Sequence, residues 1–154
     1  MMSSNSTLLG AGLFFGVCGL LYIQQARMTD EKKPTKKATI YDRIGGKASV
    51  NAAVDIFYKK VLSDDRVNKF FKNTDMHVQR AKQAKFLAFV LGAPEQWKGK
   101  SMLEAHKGMN ITEEQFGAIA GHLQTTLQEL GVPADIVGEI MAVAASTHDD
   151  IVGR

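Results

Sequence analysis

The sequence is short of several residues that would define other protein classes. It has one cysteine, Cys18, and three prolines among 154 residues. A single cysteine excludes an intrachain disulfide and a CxxCH motif. There is no G-x-G-x-x-G segment or other flavin- or nucleotide-binding motif, so the chain carries no recognisable reductase domain of its own. No run of alternating β-branched residues stands out, and the sequence predicts an all-α fold without a sheet.

The basic excess is confined to the amino-terminal part of the chain. Five basic and two acidic residues account for it: Arg27, Lys32, Lys33, Lys36, Lys37, Asp30 and Glu31. Residues 39–154 therefore hold 19 − 5 = 14 basic and 16 − 2 = 14 acidic residues. A net charge of zero argues against a nucleic-acid surface on the domain, so we expect no nucleic-acid partner.

Residues 8–23 form an uninterrupted run of apolar residues and glycines. The run is somewhat shorter than the roughly 20 residues of a spanning helix. No basic residue precedes it and no A-x-A site follows it, which favours a membrane anchor over a cleaved secretory signal. The basic cluster that follows predicts a domain facing the cytoplasm, with the amino terminus outside. Alternatively, Met28 begins the functional protein and the domain is simply cytoplasmic.

Three segments follow from this pattern: a hydrophobic leader or anchor (1–27), a basic flexible linker (28–38) and a folded domain (39–154). Within the domain, helical spacing and capping residues predict four main helices. They run from Ser49 to Leu62, from Asp75 to about Leu91, from Thr112 to Leu130, and onward from Pro133.

The predicted helix from Asp75 to Leu91 is polar where its apolar stripe should continue. The stripe consists of Phe86, Phe89 and Val90, and its continuation one turn or more earlier consists of Lys82, Gln83, Val78 and Gln79. Burying such polar groups costs a few kcal/mol each unless they are paired. The helix therefore either exposes this face or contributes it to a polar pocket, and a pocket for an oxygen-binding metal would explain it.

Residues 39–154 resemble a group I truncated haemoglobin, a short globin that holds haem between a reduced set of helices. The order and spacing of six segments carry the resemblance: TIYDRIGG (39–46), AVDIFYKKVLSDDRV (53–67), KFFKNTDM (69–76), QRAKQAKF (79–86), EAHKG (104–108) and LQTTLQELGVP (123–133). The resemblance implies the truncated globin fold, a helical sandwich around haem b. Between His106 and Phe116, however, the chain is shorter than in some members of that family, which predicts a brief proximal helix.

The resemblance also implies roles for individual residues. His106 matches the proximal ligand of haem iron, for which a neutral imidazole is well suited. Tyr58 matches the tyrosine that hydrogen-bonds the bound ligand, although a tyrosine at the edge of a helical core is the plainer interpretation. Gln79 and Gln83 match distal polar positions. The other expected cofactor contacts are Phe71, Phe57, Phe86 and Leu103.

Three positions keep alternative interpretations. Lys82 falls where some relatives have a histidine or a lysine that binds iron, but an ordinary lysine would extend its ammonium group to water. His148 lies near the late histidine that tethers a haem vinyl group in a few relatives, one residue out of register. Trp97, with Lys98 and Lys100, either edges the pocket or belongs to a solvated loop.

The function implied is a haem protein that reversibly binds oxygen, nitric oxide and carbon monoxide. Its most concrete chemical role is nitric oxide dioxygenation, which needs an electron from an unidentified, separate reductase. One alternative is a six-coordinate sensor or electron-transfer protein with Lys82 on the iron. Another is a membrane-attached helical adaptor that has lost haem.

Overall fold

The computed structural model describes residues 37–154. The leader (1–27), its apolar run (8–23) and nearly all of the linker (28–38) lie outside the described residues. The described chain forms the following helices: α1 (Ile40–Arg43), α2 (Gly46–Leu62), a 3₁₀ helix (Asn68–Phe71), α3 (Met76–Val90), α4 (Met102–His106), α5 (Glu113–Glu129), α6 (Ala134–Ala145) and α7 (His148–Ile151). Across residues 37–154, no helix has both the length and the apolar character needed to cross a membrane.

Side-chain caps set the starts of the helices that carry the site. The Asp75 carboxylate accepts hydrogen bonds from the backbone N–H groups of His77 and Val78 and so begins α3. Ser101 and Thr112 each form a capping box at the start of α4 and α5. These caps satisfy N–H groups that have no partner within the helix. The predicted starts at Asp75 and Thr112 are confirmed.

The boundaries differ from the sequence prediction at two places. Helix α2 begins at Gly46 rather than Ser49, because Gly45 and Gly46 adopt φ values of 96° and 68° and turn the chain sharply out of α1. Beyond α6, the predicted last helix, the chain forms the further short helix α7. Its four residues are too few to show a helical period in the sequence.

The core is built on one face of α2. Val50, Val54, Tyr58 and Val61 lie at helical spacing on that face and are buried. This face packs against α3 and α5, while α5 also packs against α6 around Leu127. Helices α3 and α4, by contrast, contain no fully buried residue, since their inner faces border a cavity.

Residues 152–154 pair with the segment that follows α4. Ile111 and Val152 form an isolated parallel β-bridge, and the described residues contain no longer strand. The Gly153 N–H donates to the Ile111 carbonyl at 2.9 Å, and the Asn110 N–H donates to the Arg154 carbonyl at 2.7 Å. These bonds hold the segment that follows His106 against residues 152–154.

Candidate functional site

A cavity of about 750 Å³ lies between α2, α3, α4, α5 and α6. This volume falls within the roughly 300–1,000 Å³ usual for cofactor sites. Eight of the nine predicted site residues line it: Phe57, Tyr58, Phe71, Gln79, Lys82, Gln83, Phe86 and His106. The polar stretch of α3 therefore faces a pocket, as one of the two interpretations of the sequence predicted.

Leu103 is the exception. Its side chain is 44% exposed and does not line the cavity, and its contact with haem stays a prediction. In the single turn of α4, Met102, Ala105 and His106 share the face that borders the cavity, and Leu103 points about 100° away from Met102. Val78 and Phe89 of α3, which the sequence placed on the apolar stripe or its continuation, are likewise exposed and do not line the cavity.

Tyr58 and Gln79 form a hydrogen-bonded pair on one wall. Tyr58 is only 2% exposed, and its ring makes edge contacts with Phe57 and Phe71. The Gln79 amide Nε2 donates to the Tyr58 hydroxyl oxygen at 3.0 Å. Burial raises the pKa of the Tyr58 phenol above its ordinary value, against the opposing effects of Gln79 and Arg80. The phenol is therefore a neutral hydrogen-bond donor at physiological pH.

His106 approaches the cavity from α4. Its Nδ1 atom lies 2.8 Å from the Met102 carbonyl oxygen one turn earlier. A carbonyl only accepts hydrogen bonds, so Nδ1 carries a proton, and in the neutral tautomer the lone pair is then on Nε2. This is the arrangement by which proteins orient a metal-binding imidazole. The helix is brief, as predicted, and ends at His106 itself.

Comparisons with known proteins agree with this geometry. A family model described as bacterial-like globin matches residues 39–152. The group 1 truncated haemoglobin of Tetrahymena thermophila is 49% identical over 119 residues, which are 77% of this chain and 98% of that protein. The chain belongs to the group 1 truncated haemoglobins.

Solved structures support the same assignment for this globin. The Fe(III) form of the truncated haemoglobin from Tetrahymena pyriformis superposes with a TM-score of 0.73 at 49% identity, covering 76% of this chain and 100% of that chain. A 2/2 haemoglobin from Synechococcus sp. with covalently attached haem gives a TM-score of 0.72 at 39% identity, with the same coverage. The predicted truncated globin fold is confirmed.

As a member of this family, the protein binds haem b and diatomic gases such as oxygen. The cavity fits that cofactor. Its walls are mainly apolar and include phenylalanines on two sides, which suits a flat porphyrin. His106 presents a free Nε2 atom to the cavity, and Tyr58 presents a phenol. The haem-contacting roles of individual residues stay predictions.

The loop 95–100 forms part of the cavity rim in this globin. The Trp97 ring makes an edge contact with Phe86 at 5.4 Å between centroids, and its indole N–H donates to the Lys100 carbonyl at 3.0 Å. A Cβ atom on Gly99 would lie only 2.1 Å from the indole ring, so any other residue there would displace Trp97. Trp97 and Lys100 thus edge the pocket, whereas Lys98 is exposed beside them.

His148 does not line the cavity, although its ring makes an edge contact with Phe116, which does. Its Nδ1 lies 2.8 Å from an Asp149 carboxylate oxygen and its Nε2 lies 2.9 Å from one of Glu113. Hydrogen bonds to Asp149 and then Glu113 raise the pKa of His148. Thr147, one residue earlier, lines the cavity instead. This placement matches the one-residue offset noted in the sequence and gives no support to a tether through His148.

A second paired histidine lies outside the cavity. The His122 Nε2 atom of α5 lies 2.7 Å from the Asp64 carboxylate, which also accepts from the Arg66 guanidinium at 2.7 Å. Hydrogen bonds from Arg66, and to a lesser degree from His122, hold the pKa of Asp64 well below its usual range. This cluster ties the loop after α2 to α5 and has no contact with the cofactor pocket.

Sequence reasoning missed several apolar residues of the cavity wall. They include Met102, Met109, Ile119, Leu123, Val143 and Ile151. Ile119 and Leu123 lie about one turn apart on α5, on its inner face. The period of a helix identifies its inner face but cannot distinguish a wall that packs on protein from one that packs on a cofactor.

Proposed function

We propose that this globin converts nitric oxide and oxygen to nitrate, with electrons supplied by a separate reductase. The overall reaction joins one nitric oxide, one oxygen molecule and one electron into one nitrate ion, so atoms and charge balance. Haem supplies the iron at which the two gases meet. The hydrogen bond from Gln79 to Tyr58 is the single observation that carries the proposal.

The direction of that hydrogen bond matters for oxygen retention. Since the Tyr58 oxygen accepts from Gln79, its own hydrogen is left to donate to a ligand in the cavity. The outer atom of bound oxygen is partly negative and accepts such a bond. Tyr58, supported by Gln79 and with Gln83 nearby, would contribute about 1–3 kcal/mol, or roughly ten- to hundredfold slower oxygen loss. Slow loss suits a protein that consumes oxygen better than one that delivers it.

Turnover requires an electron for each nitrate formed. The sequence has no flavin- or nucleotide-binding motif, so the donor is a different protein. We further propose that the leader places the globin at a membrane, facing the cytoplasm, beside that donor. Deleting residues 1–27 would then lower cellular nitric oxide consumption. Unchanged consumption would leave the leader without this role, in keeping with a start at Met28.

The direct test mixes the full-length, oxygen-loaded protein with nitric oxide in a stopped-flow instrument and measures nitrate. We expect about one nitrate for each haem, and faster oxygen loss with less nitrate at low oxygen in Tyr58→Phe. Tyr41→Phe is the matched control, because Tyr41 lies in the core outside the cavity. Nitrite or no product from the parent protein would refute the assignment.

Lys82 supports a second function, that of a six-coordinate sensor or electron-transfer protein. The side chain lines the cavity and is also exposed, and it makes no ion pair with a described residue. It can therefore reach either the iron or the solvent. Under this alternative, a low-spin ferric spectrum would appear at alkaline pH and vanish in Lys82→Ala but not in the control Lys85→Ala. A spectrum that Lys82→Ala leaves unchanged would show that Lys82 does not bind the iron and extends to solvent.

A further inference from the structure

Charge is distributed very unevenly along the globin, although residues 39–154 are neutral as a whole. Residues 67–110 contain eight basic and three acidic residues, a net charge of +5. Residues 111–154 contain one basic and seven acidic residues, a net charge of −6. The first segment supplies α3, the loop 95–100 and α4, all of which contribute residues to the cavity wall.

Five lysines of this segment lie on the cavity wall or close to residues that line it. Lys82 and Lys100 line it, and Lys85 follows Lys82 by one turn of α3. Lys98 stands between two lining residues, and Lys107 directly follows His106. All five are exposed. We call these five residues the lysine rim.

The lysine rim is not neutralised by the protein itself. Within residues 37–154, none of its members forms an ion pair with a carboxylate. Asp75 caps α3, and Glu104 closes the capping box with Ser101 while also interacting electrostatically with Lys100, without a direct ion pair. Even after the two propionates of a bound haem are counted, the segment stays positive.

Acidic residues border the same cavity at α7. Thr147 and Ile151 line the cavity, and Asp149 and Asp150 lie between them in sequence. Helix α7 packs against α4, and Glu113 is bonded to His148 at the start of α7. This negative edge therefore adjoins Lys107, while the other four rim lysines lie on α3 and the loop 95–100. A charged partner meets both signs of charge, and such a distribution orients it as well as attracting it.

We propose that the lysine rim is the docking surface for an electron-donor protein with an acidic face. The inference rests on the proposed function, which requires such a donor, and it specifies where and how the donor binds. Long-range attraction between the rim and an acidic face raises the encounter rate and brings the donor to the edge of the cofactor. The negative edge at Asp149 and Asp150 repels the same donor and limits it to one orientation.

An anionic membrane would be attracted by the same lysines, but the arrangement favours a protein donor. The rim borders the cavity that holds the redox group, and an electron transfer partner must approach that group closely. The opposing charge of residues 111–154 also gives orientation, which a redox partner needs and a uniform lipid surface does not.

The test measures how fast the full-length ferric holoprotein is reduced by a photoreduced plant-type [2Fe–2S] ferredoxin, a strongly acidic donor. The rim variant is Lys85→Glu with Lys98→Glu, neither of which lines the cavity. The matched control is Lys47→Glu with Lys59→Glu, two exposed lysines of α2 outside the cavity with the same change in charge. Photoreduced deazariboflavin, a small neutral reductant, reports on the haem site alone.

We expect the parent rate to fall as salt is added, and the rim variant to be about tenfold slower or more than the control at low ionic strength. The two variants should react alike with deazariboflavin and should converge at high salt. Equal rates for rim and control variants, or a parent rate independent of salt, would overturn the proposal.

Two further outcomes keep the interpretations apart. If the rim variant lost binding to phosphatidylserine vesicles while its ferredoxin rate matched the control, the rim would be a membrane face and the proposal would be wrong. Nitrate formation from oxygen-loaded protein needs no donor in a single turnover. A rim effect without nitrate would refute the proposed function alone, whereas nitrate without a rim effect would refute the docking surface alone.

Discussion

Replacing Tyr58 by phenylalanine is the sharpest test of the distal wall, because it removes one oxygen atom from a buried side chain. The ring stays among the same aromatic neighbours, so packing changes little. One hydrogen bond to a partly charged ligand is lost, which costs about 1–2 kcal/mol and corresponds to roughly 5- to 30-fold faster oxygen dissociation. Gln79 loses its partner at the same time and becomes free to donate to the ligand directly, which limits the effect.

The assay is stopped-flow displacement of oxygen by excess carbon monoxide, followed in the Soret band. The outer atom of carbon monoxide is nearly neutral, so its own dissociation rate should change by less than about twofold. Adding Gln79→Leu to Tyr58→Phe should accelerate oxygen loss further, because the second donor is removed. An oxygen dissociation rate that Tyr58→Phe leaves unchanged would refute the assignment of this phenol as the ligand's donor.

Three further changes test other parts of the molecule. Gly99→Ala should displace the only tryptophan, Trp97, which would appear as a red-shifted emission of the haem-free protein and a faster haem loss. Because two carboxylates raise the pKa of His148, its contribution to the free energy of unfolding should be full below about pH 6.5 and fade as pH rises, so that parent and His148→Gln converge in alkaline urea titrations. The Asp64 pKa is lowered, so Asp64→Asn should destabilise the protein near neutral pH, and less so as acid protonates the parent carboxyl.

Much of the site could be predicted because its residues fall on helices long enough to show a period. Helix α3 is the clearest case, since its inner face carries Gln79, Lys82 and Gln83 at positions where an ordinary helix would be apolar. For Leu103 no such period is available. Its helix has only five residues, and a single turn does not fix which neighbours of His106 share its face.

The contacts made by residues 147–154 could not be predicted from local patterns. The pairing of Ile111 with Val152 depends on how α5 and α6 return the chain, which no short segment encodes. Likewise, the sequence singled out His148 near a tethering position, but the carboxylate of Glu113 comes from a distant segment and holds the ring elsewhere. Long-range pairing of this kind is decided by tertiary structure and not by propensity.

The pairing of residues 152–154 with the segment after His106 bears on how the protein is made. A ribosome releases His106 well before it releases Val152 and Gly153, so during synthesis the loop at Asn110 and Ile111 has nothing to hold it. Contacts between segments distant in sequence form late, after the chain between them has been organised. Haem capture is therefore expected to follow chain completion, and the newly made globin would pass through a stage in which α3 is formed and the predicted iron ligand His106 still moves freely.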